Sequence, residues 1–223
     1  KYDLVKNYFK EADQVLETPL SKIILEGPKD ELDLTINTQP AIFLISYSIF
    51  QVIKKEYNID LNKAKYFAGH SLGEYSALAA TNSLNFQDAI KLLYKRGEAM
   101  QTAVPKGLGG MLAILGVEIN EIYKLLEENK KNFKCYIAND NSNGQIVLSG
   151  LNTDLDKLVE TLKLKKIKNI RLPVSAPFHC KLMDKATSIM RDKITNANFE
   201  KPKNAIISNV TATETQEVDK IKD

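Results

Sequence analysis

The 223 residues suffice for one domain or for one domain with a small insert, and 43% hydrophobic with 26% charged residues is typical of soluble globular proteins. The 31 basic and 28 acidic residues leave a net charge of +3, which is too balanced to indicate a nucleic-acid or membrane binder. Two cysteines, Cys135 and Cys180, exclude a disulfide framework and suit a reducing compartment, so we expect a cytoplasmic protein without a membrane-spanning segment.

The first half of the chain predicts four helices and one short strand. Apolar positions repeat at helical spacing over residues 1–17. The segment 37–57 has Pro40 in its first turn and an almost wholly apolar middle, which predicts a helix buried on most sides. The remaining elements are a buried strand over 64–69, a helix over 73–82 and a helix over 85–104 capped by Asn85.

After Pro105 the pattern changes to short strands and helices in the order βαββαβ, which predicts an inserted ferredoxin-like subdomain over residues 105–172. Asn143-Gly144 is expected to supply the left-handed residues of a tight hairpin within it. Residues 1–104 and 173–223 predict an α/β hydrolase-like core with a mainly parallel sheet. The elements of the insert are strand 111–116, helix 118–131, strand 135–139, strand 145–149, helix 154–165 and strand 167–172.

The stretch Gly69-His70-Ser71-Leu72-Gly73 matches the G-x-S-x-G nucleophile elbow. The pattern is weak by itself, but a predicted buried strand precedes it and a predicted helix follows it. This context places a serine on a sharp, exposed turn, and the glycines there are expected to avoid collisions with the strand and helix. We therefore predict that Ser71 is a nucleophile; the alternative is a turn of small residues that only joins strand to helix.

Two histidines are available as the base for Ser71. Neighbouring side chains diverge on a sharp turn, so we expect His70 to pack beside the turn and stabilise its shape rather than to take the proton. His179 lies downstream in a loop before a helix, and the chain order serine then histidine is typical of hydrolase-like sheets. We predict that His179 is the base. A dyad held by a backbone group and a triad both remain open.

Arg96 precedes Gly97 in the middle of a predicted helix, where glycine lowers helix stability. A glycine that clears space would let Arg96 face a pocket and bind a carboxylate with two hydrogen bonds. The alternative is an arginine in contact with solvent.

Five segments, namely TQPAIF, GHSLGEYSAL, RGEAMQ, GGMLAILG and LPVSAPFHCKLM, together resemble the malonyl-CoA:acyl carrier protein transacylase family. They occur in the family order over essentially the whole chain. The resemblance implies that Ser71 attacks the malonyl thioester with His179 as base, and that a malonyl-serine passes its acyl group to the thiol of acyl carrier protein. It implies no cofactor or metal, and we expect a monomer.

The resemblance also assigns the substrate-binding residues. Arg96 would bind the malonyl carboxylate, and the Leu72 N–H would be one half of the oxyanion hole. Phe178 looks like the malonyl-type version of its loop. The other residues implied at or near the pocket are Gln39, Met100 and Asn139, with His70 beside the elbow.

The sequence differs from the family at both ends. The N-terminal strand, the loop with a second oxyanion donor and the C-terminal glutamine that orients the base have no counterpart here. We expect the native protein to extend beyond both termini, and an organelle-targeting signal could have been lost with the N-terminus.

Two other functions share some of these features. A serine esterase or thioesterase would use the same elbow, but a buried Arg96 disfavours a plain fatty acyl chain. A truncated, non-catalytic module that docks acyl carrier protein is the second alternative.

A basic run lies at the end of the insert and comprises Lys163, Lys165, Lys166, Lys168 and Arg171. Acyl carrier proteins are typically acidic, so this run would attract one, or it would form a solvated face.

Overall fold

The structure is a computed structural model that describes residues 2–105, 107–174 and 176–223, so Lys1, Lys106 and Ser175 lie outside the described residues. The chain forms two compact units, the first comprising residues 1–98 and 190–223 and the second residues 99–189. In chain order the helices and strands are α1 (Asp3–Leu16), α2 (Leu20–Glu26), α3 (Lys29–Leu32), α4 (Thr35–Glu56), β1 (Tyr66–Ala68), α5 (Gly73–Ala80), α6 (Phe86–Ala103), β2 (Gly109–Leu115), α7 (Ile119–Glu128), β3 (Cys135–Ser142), β4 (Gln145–Leu151), α8 (Asn152–Leu164), β5 (Lys168–Arg171), α9 (Asp184–Thr195), β6 (Ala205–Ile207), β7 (Glu214–Thr215) and α10 (Val218–Lys222).

Aromatic rings from three helices form part of the core of the first unit. The Tyr8 ring of α1 lies 5.2 Å from that of Tyr47 on α4 and 5.1 Å from that of Phe86 on α6. Phe43, which is fully buried, stacks on both Tyr47 and Phe86 at 5.7 Å. Burial raises the pKa of Tyr8 to about 12. Through Tyr8, helix α1 therefore packs on both α4 and α6.

Helix α4 is only partly buried. Phe43 and Leu44 are fully buried, but Ile42, Ile45 and Ile49 form an exposed stripe along one side. The prediction that this helix is buried on most sides is therefore wrong for that face. Among the described residues, α4 is also the one helix that is long and apolar enough to cross a membrane. In its most apolar 18-residue stretch, 44% is buried inside the protein.

The sheet of the first unit contains strands β1, β6 and β7 in that order. Strand β1 pairs parallel with β6, from Tyr66↔Ala205 to Ala68↔Ile207, and the short strand β7 pairs antiparallel with β6. The predicted α/β class is confirmed by the structural neighbours reported below, and the described part of this sheet has one parallel and one antiparallel pairing. Because β1 and β6 are parallel, residues that follow them lie at the same edge of the sheet.

The second unit contains a four-stranded antiparallel sheet in the order β3-β4-β2-β5. Together with helices α7 and α8 it forms the predicted ferredoxin-like βαββαβ arrangement. The helices cover one face of the sheet with a core of fully buried residues that includes Ile122, Leu148 and Leu158. The predicted subdomain is therefore present, with strand and helix ends displaced by a few residues.

The other face of this sheet is covered by the segment after β5. Its apolar side chains pack on β2 and β4, in a cluster formed by Met111, Ala113, Val147, Leu172, Val174 and Phe178. Residues 173–189, which the sequence assigns to the core, therefore group with the second unit. The predicted domain boundaries, between residues 104 and 105 and between residues 172 and 173, stay a prediction.

The hairpin between β3 and β4 turns at Asn143-Gly144, as predicted. Only Gly144 is left-handed, with φ 79°, so the expectation of two left-handed residues is wrong for Asn143. The Gly144 carbonyl accepts a hydrogen bond from the Gly116 N–H at 2.7 Å, which ties the turn to the end of β2. Strand β3 also has an irregular register between Ile137 and Asn139.

Candidate active site

Ser71 lies on the sharp turn between β1 and α5, and its backbone is left-handed, with φ 53°. Such a φ is uncommon for residues other than glycine and occurs at strained functional turns. Hydrogen bonds from the Gly73 N–H to the His70 carbonyl (2.9 Å) and from the Glu74 N–H to the Ser71 carbonyl (3.1 Å) close the turn. The strand, sharp turn and helix that the motif predicts around Ser71 are therefore present. The expectation that this strand is buried is wrong, because Tyr66 and Ala68 are exposed.

The two glycines of the motif differ in their contribution to this turn. A Cβ atom at Gly69 would lie 2.0 Å from the carbonyl carbon and oxygen of Gly73, so only glycine fits there. A Cβ atom at Gly73 would meet nothing within 4 Å. The expectation that both glycines prevent collisions is therefore wrong for Gly73, which is the first residue of α5.

Arg96 contacts the Ser71 hydroxyl directly. Its Nη2 donates to Ser71 Oγ at 3.1 Å, and its Nη1 donates to Gln39 Oε1. Gln39 is buried, and its Nε2 donates to Thr35 Oγ1 at 3.1 Å, which sets the orientation of its amide. Three residues that the sequence placed at the pocket, Ser71, Arg96 and Gln39, are therefore brought together in the first unit.

Gly97 lets helix α6 approach the start of α4. A Cβ atom at this position would lie 2.6 Å from Ile36 Cα and 2.6 Å from the Thr35 carbonyl oxygen. The glycine therefore clears space for the backbone of another helix and not for a pocket, which corrects the expectation from sequence. This close approach brings Arg96 within reach of Gln39.

The charges around Arg96 lie in partly desolvated surroundings. Burial lowers the pKa of Arg96, while Tyr75 and Glu74 oppose that change. Burial raises the pKa of Glu74, against the effects of a hydrogen bond from Asn209 and of the Arg96 charge. Because water is partly excluded, an anionic ligand would be attracted to the guanidinium more strongly here than at the protein surface.

Leu72 follows the nucleophile and precedes the first residue of α5. Its carbonyl accepts a hydrogen bond from the Tyr75 N–H at 3.1 Å. Within the ranges 2–105, 107–174 and 176–223, no protein acceptor is seen for the Leu72 N–H. A donor at a helix N-terminus suits an oxyanion. His70 is exposed, and its predicted role in stabilising the turn stays a prediction.

Asn209 and Glu74 are site residues that the sequence analysis missed. The Ser71 N–H donates to Asn209 Oδ1 at 2.8 Å, and the Asn209 N–H donates to Glu74 Oε1 at 3.4 Å. Ser71 and Asn209 are separated by 138 positions. No local motif connects two residues this far apart along the chain, so no sequence signal identified this contact.

The remaining predicted residues belong to the second unit. His179 is half-buried and has a left-handed backbone with φ 56°. The Phe178 carbonyl before it accepts a hydrogen bond from Ser149 Oγ, and the Phe178 ring packs on the sheet cluster. Met100 is buried on α6, and Asn139 is half-buried at the irregular part of β3. The pairing of His179 with Ser71 and the pocket roles of these residues stay predictions.

The two thiols are packed groups. Cys180 Sγ donates to the Pro177 carbonyl at 3.1 Å, and burial raises its pKa. Burial also raises the pKa of Cys135 to about 12. Among the side chains that the structure describes, no group of three or more His, Cys, Asp or Glu residues could hold a metal ion.

Comparisons with known proteins connect this geometry to a family. The family model described as the acyl transferase domain matches residues 3–221. A malonyl CoA-acyl carrier protein transacylase of Bacillus subtilis (strain 168) is 40% identical over 209 residues, which cover 93% of this chain and 65% of that protein. The chain thus spans slightly less than two thirds of that relative's length.

Solved structures agree with this comparison. The acyl-carrier-protein-S-malonyltransferase of Bartonella henselae matches with a TM-score of 0.94 and 38% identity, covering 99% of this chain and 71% of that one. A malonyl-transacylase in complex with a type II polyketide acyl carrier protein matches with a TM-score of 0.92 and 33% identity, covering 99% and 71%.

The two elbow glycines provide a matched pair of substitutions. We expect Gly69→Ala to lower the free energy of unfolding by more than about 3 kcal/mol, because the added methyl group meets backbone atoms that cannot move aside. Gly73→Ala should change it by less than about 1 kcal/mol, because the space is open and alanine favours a helix. Urea denaturation of both variants measures the difference. Equal destabilisation would contradict the assigned geometry.

Proposed function

Because the chain belongs to the acyl transferase domain family, we propose that it transfers a malonyl group from malonyl-CoA to the phosphopantetheine thiol of acyl carrier protein. The reaction passes through a malonyl-serine on Ser71. Support comes from the names of the relatives, which are malonyl transacylases. The malonyl-acyl carrier protein that forms would serve fatty acid synthesis.

The contact between Arg96 and Ser71 is the observation that carries this proposal. A guanidinium 3.1 Å from the nucleophile oxygen would meet an anionic group on an acyl chain attached there. The carboxylate of malonate is such a group, and a guanidinium can bind it with two hydrogen bonds. Gln39 holds the guanidinium from the other side, so the cation is oriented before substrate arrives.

In the first half-reaction, Ser71 Oγ attacks the thioester carbonyl of malonyl-CoA while its proton passes to His179. The negative charge that develops on the carbonyl oxygen is stabilised by the Leu72 N–H. The intermediate collapses with cleavage of the carbon–sulfur bond, and coenzyme A leaves as a thiol after accepting the proton from His179. The role of His179 rests on the sequence, in which it is the better placed of two histidines.

In the second half-reaction, the phosphopantetheine thiol of acyl carrier protein gives its proton to His179 and attacks the malonyl-serine. Collapse of this intermediate returns the proton to Ser71 Oγ and releases malonyl-acyl carrier protein. Met100, Asn139 and Phe178 are proposed to line the acyl and pantetheine path. No cofactor or metal takes part, and we propose that the protein acts as a monomer in the cytoplasm without binding nucleic acid or membranes.

Incubation with labelled malonyl-CoA tests this function. We expect a malonyl adduct on the full-length protein by intact mass, because Ser71 retains the acyl group until a thiol arrives. The adduct should be absent in Ser71→Ala and present in Ser76→Ala, a nearby serine of α5 that serves as the matched control.

The fate of the adduct separates the alternatives. Transfer to acyl carrier protein supports the transacylase. Rapid release of free malonate without transfer would instead indicate an esterase or thioesterase, and no adduct on the full-length protein would indicate a non-catalytic docking module.

Arg96 should determine the preference for malonyl over acetyl groups. Arg96→Ala is expected to reduce kcat/KM for malonyl-CoA by at least about 10-fold, since one charge-assisted hydrogen bond contributes about 1.5–3 kcal/mol. The relative activity with acetyl-CoA should rise, because a buried cation no longer disfavours an uncharged acyl group. Competition between the two substrates measures this. An unchanged preference would contradict the carboxylate-binding role.

The basic run at the end of the second unit is proposed to attract acyl carrier protein. Lys163 lies in the last turn of α8, Lys165 and Lys166 follow that helix, and Lys168 lies on the edge strand β5. All four are exposed. Arg171 is already paired with Asp156 and so contributes less to an approaching acidic surface.

Charge reversal tests docking at this run. Lys165→Glu with Lys166→Glu should raise KM for acyl carrier protein several-fold at low salt and leave KM for malonyl-CoA unchanged. Lys130→Glu with Lys131→Glu is the matched control, because it changes the net charge equally after helix α7. Equal effects of the two double variants, or no effect of either, would exclude docking at the basic run.

A further inference from the structure

The carboxyl ends of two parallel strands bring Asn209 to the nucleophile turn. Strand β1 ends at Ala68 and β6 ends at Ile207, and these residues are register partners. Ser71 follows the first strand by three residues and Asn209 follows the second by two. The Asn209 side chain accepts a hydrogen bond from the Ser71 N–H at 2.8 Å.

Asn209 is held by contacts of its own. Its N–H donates to Glu74 Oε1 at 3.4 Å, which links it to the first turn of α5. It lies within a turn closed by hydrogen bonds from the Ser208 N–H to the Thr213 carbonyl (3.0 Å) and from the Ala212 N–H to the Ser208 carbonyl (2.9 Å). The amide oxygen is therefore presented by a turn that is anchored at both ends.

The Ser71 peptide group needs such a support. A left-handed φ in a residue other than glycine raises the energy of that conformation by about 1–3 kcal/mol, and the surrounding structure must maintain it. A hydrogen bond from the Ser71 N–H sets the orientation of the peptide plane between His70 and Ser71, which ends at the Cα atom that bears the serine side chain. It also occupies this N–H, so the donor left for an oxyanion at the turn is the N–H of Leu72.

We propose that Asn209 is a positioning residue, whose side-chain oxygen holds the Ser71 peptide so that Oγ and the Leu72 N–H face the same reacting carbonyl. This inference rests on the proposed role of Ser71 as nucleophile. It does not depend on which acyl group Ser71 receives.

The test compares Asn209→Ala with Asn204→Ala in the full-length protein. Asn204 precedes the same strand β6, and its Nδ2 donates to the Asn62 and Ala64 carbonyls, both at 2.9 Å. Both substitutions remove an amide that bonds to backbone near an end of β1, but Asn204 lies away from the nucleophile. A fluorophosphonate, which labels activated serines irrespective of acyl specificity, probes Ser71 directly.

We expect Asn209→Ala to slow labelling of Ser71, and the kcat of malonyl transfer, by about 100-fold, the effect of misplacing a reacting group by about 1 Å. Its melting temperature should fall no further than that of Asn204→Ala, because Asn209 is exposed. Asn204→Ala should be labelled at nearly the wild-type rate. Equal labelling rates for the two variants would overturn the inference.

A rescue experiment separates positioning from general damage. Asn209→Asp in a Glu74→Gln background keeps an oxygen that accepts from the Ser71 N–H and avoids two neighbouring carboxylates. It should recover at least about 10-fold of the lost labelling rate relative to Asn209→Ala in the same background. A rate as low as that of the alanine variant would overturn the inference.

The fluorophosphonate also distinguishes this inference from the proposed function. Wild-type protein that is labelled at Ser71 but forms no malonyl adduct would exclude malonyl transfer, and the comparison of Asn209 with Asn204 would still decide the positioning role. Wild-type protein that resists labelling at Ser71 would overturn the positioning role itself.

Discussion

The left-handed backbone of Ser71 is the constraint on which the candidate active site depends. A turn this sharp brings Gly69 so close to Gly73 that an added Cβ atom would lie 2.0 Å from the Gly73 carbonyl. It also turns the Ser71 N–H towards the end of the neighbouring parallel strand, where Asn209 accepts its hydrogen bond. The positions of the Ser71 hydroxyl and of the Leu72 N–H result from one backbone conformation, so the nucleophile and an oxyanion donor are positioned together.

Arg96 depends on a second close backbone approach. Gly97 allows α6 to lie against the start of α4, and Gln39 on α4 then orients the guanidinium that contacts Ser71. The short motifs that contain Gln39, Ser71 and Arg96 are widely separated along the chain, yet they form one continuous set of hydrogen bonds. Replacing Gly69 or Gly97 with a larger residue would displace Ser71 or Arg96, although neither glycine has a reactive side chain.

In the second unit, His179 also lies at a backbone position with a left-handed φ. One face of its sheet is covered by helices α7 and α8, and the other by the segment that contains Phe178. The hydrogen bond from Ser149 to the Phe178 carbonyl anchors this segment immediately before His179, whose backbone is also left-handed. Both residues proposed to carry the chemistry are therefore presented at strained backbone positions with a left-handed φ.

The sequence alone determined the local elements and the chemical character of the site. Helical spacing, the βαββαβ order and the glycine-flanked serine predicted the α/β core, the ferredoxin-like unit and Ser71, because these signals depend on neighbours along the chain. Only the tertiary structure decided which backbone atoms each glycine clears, which face of α4 stays exposed, and that Asn209 supports Ser71. These features depend on contacts between residues far apart in sequence, and no local pattern encodes the distance between two such groups.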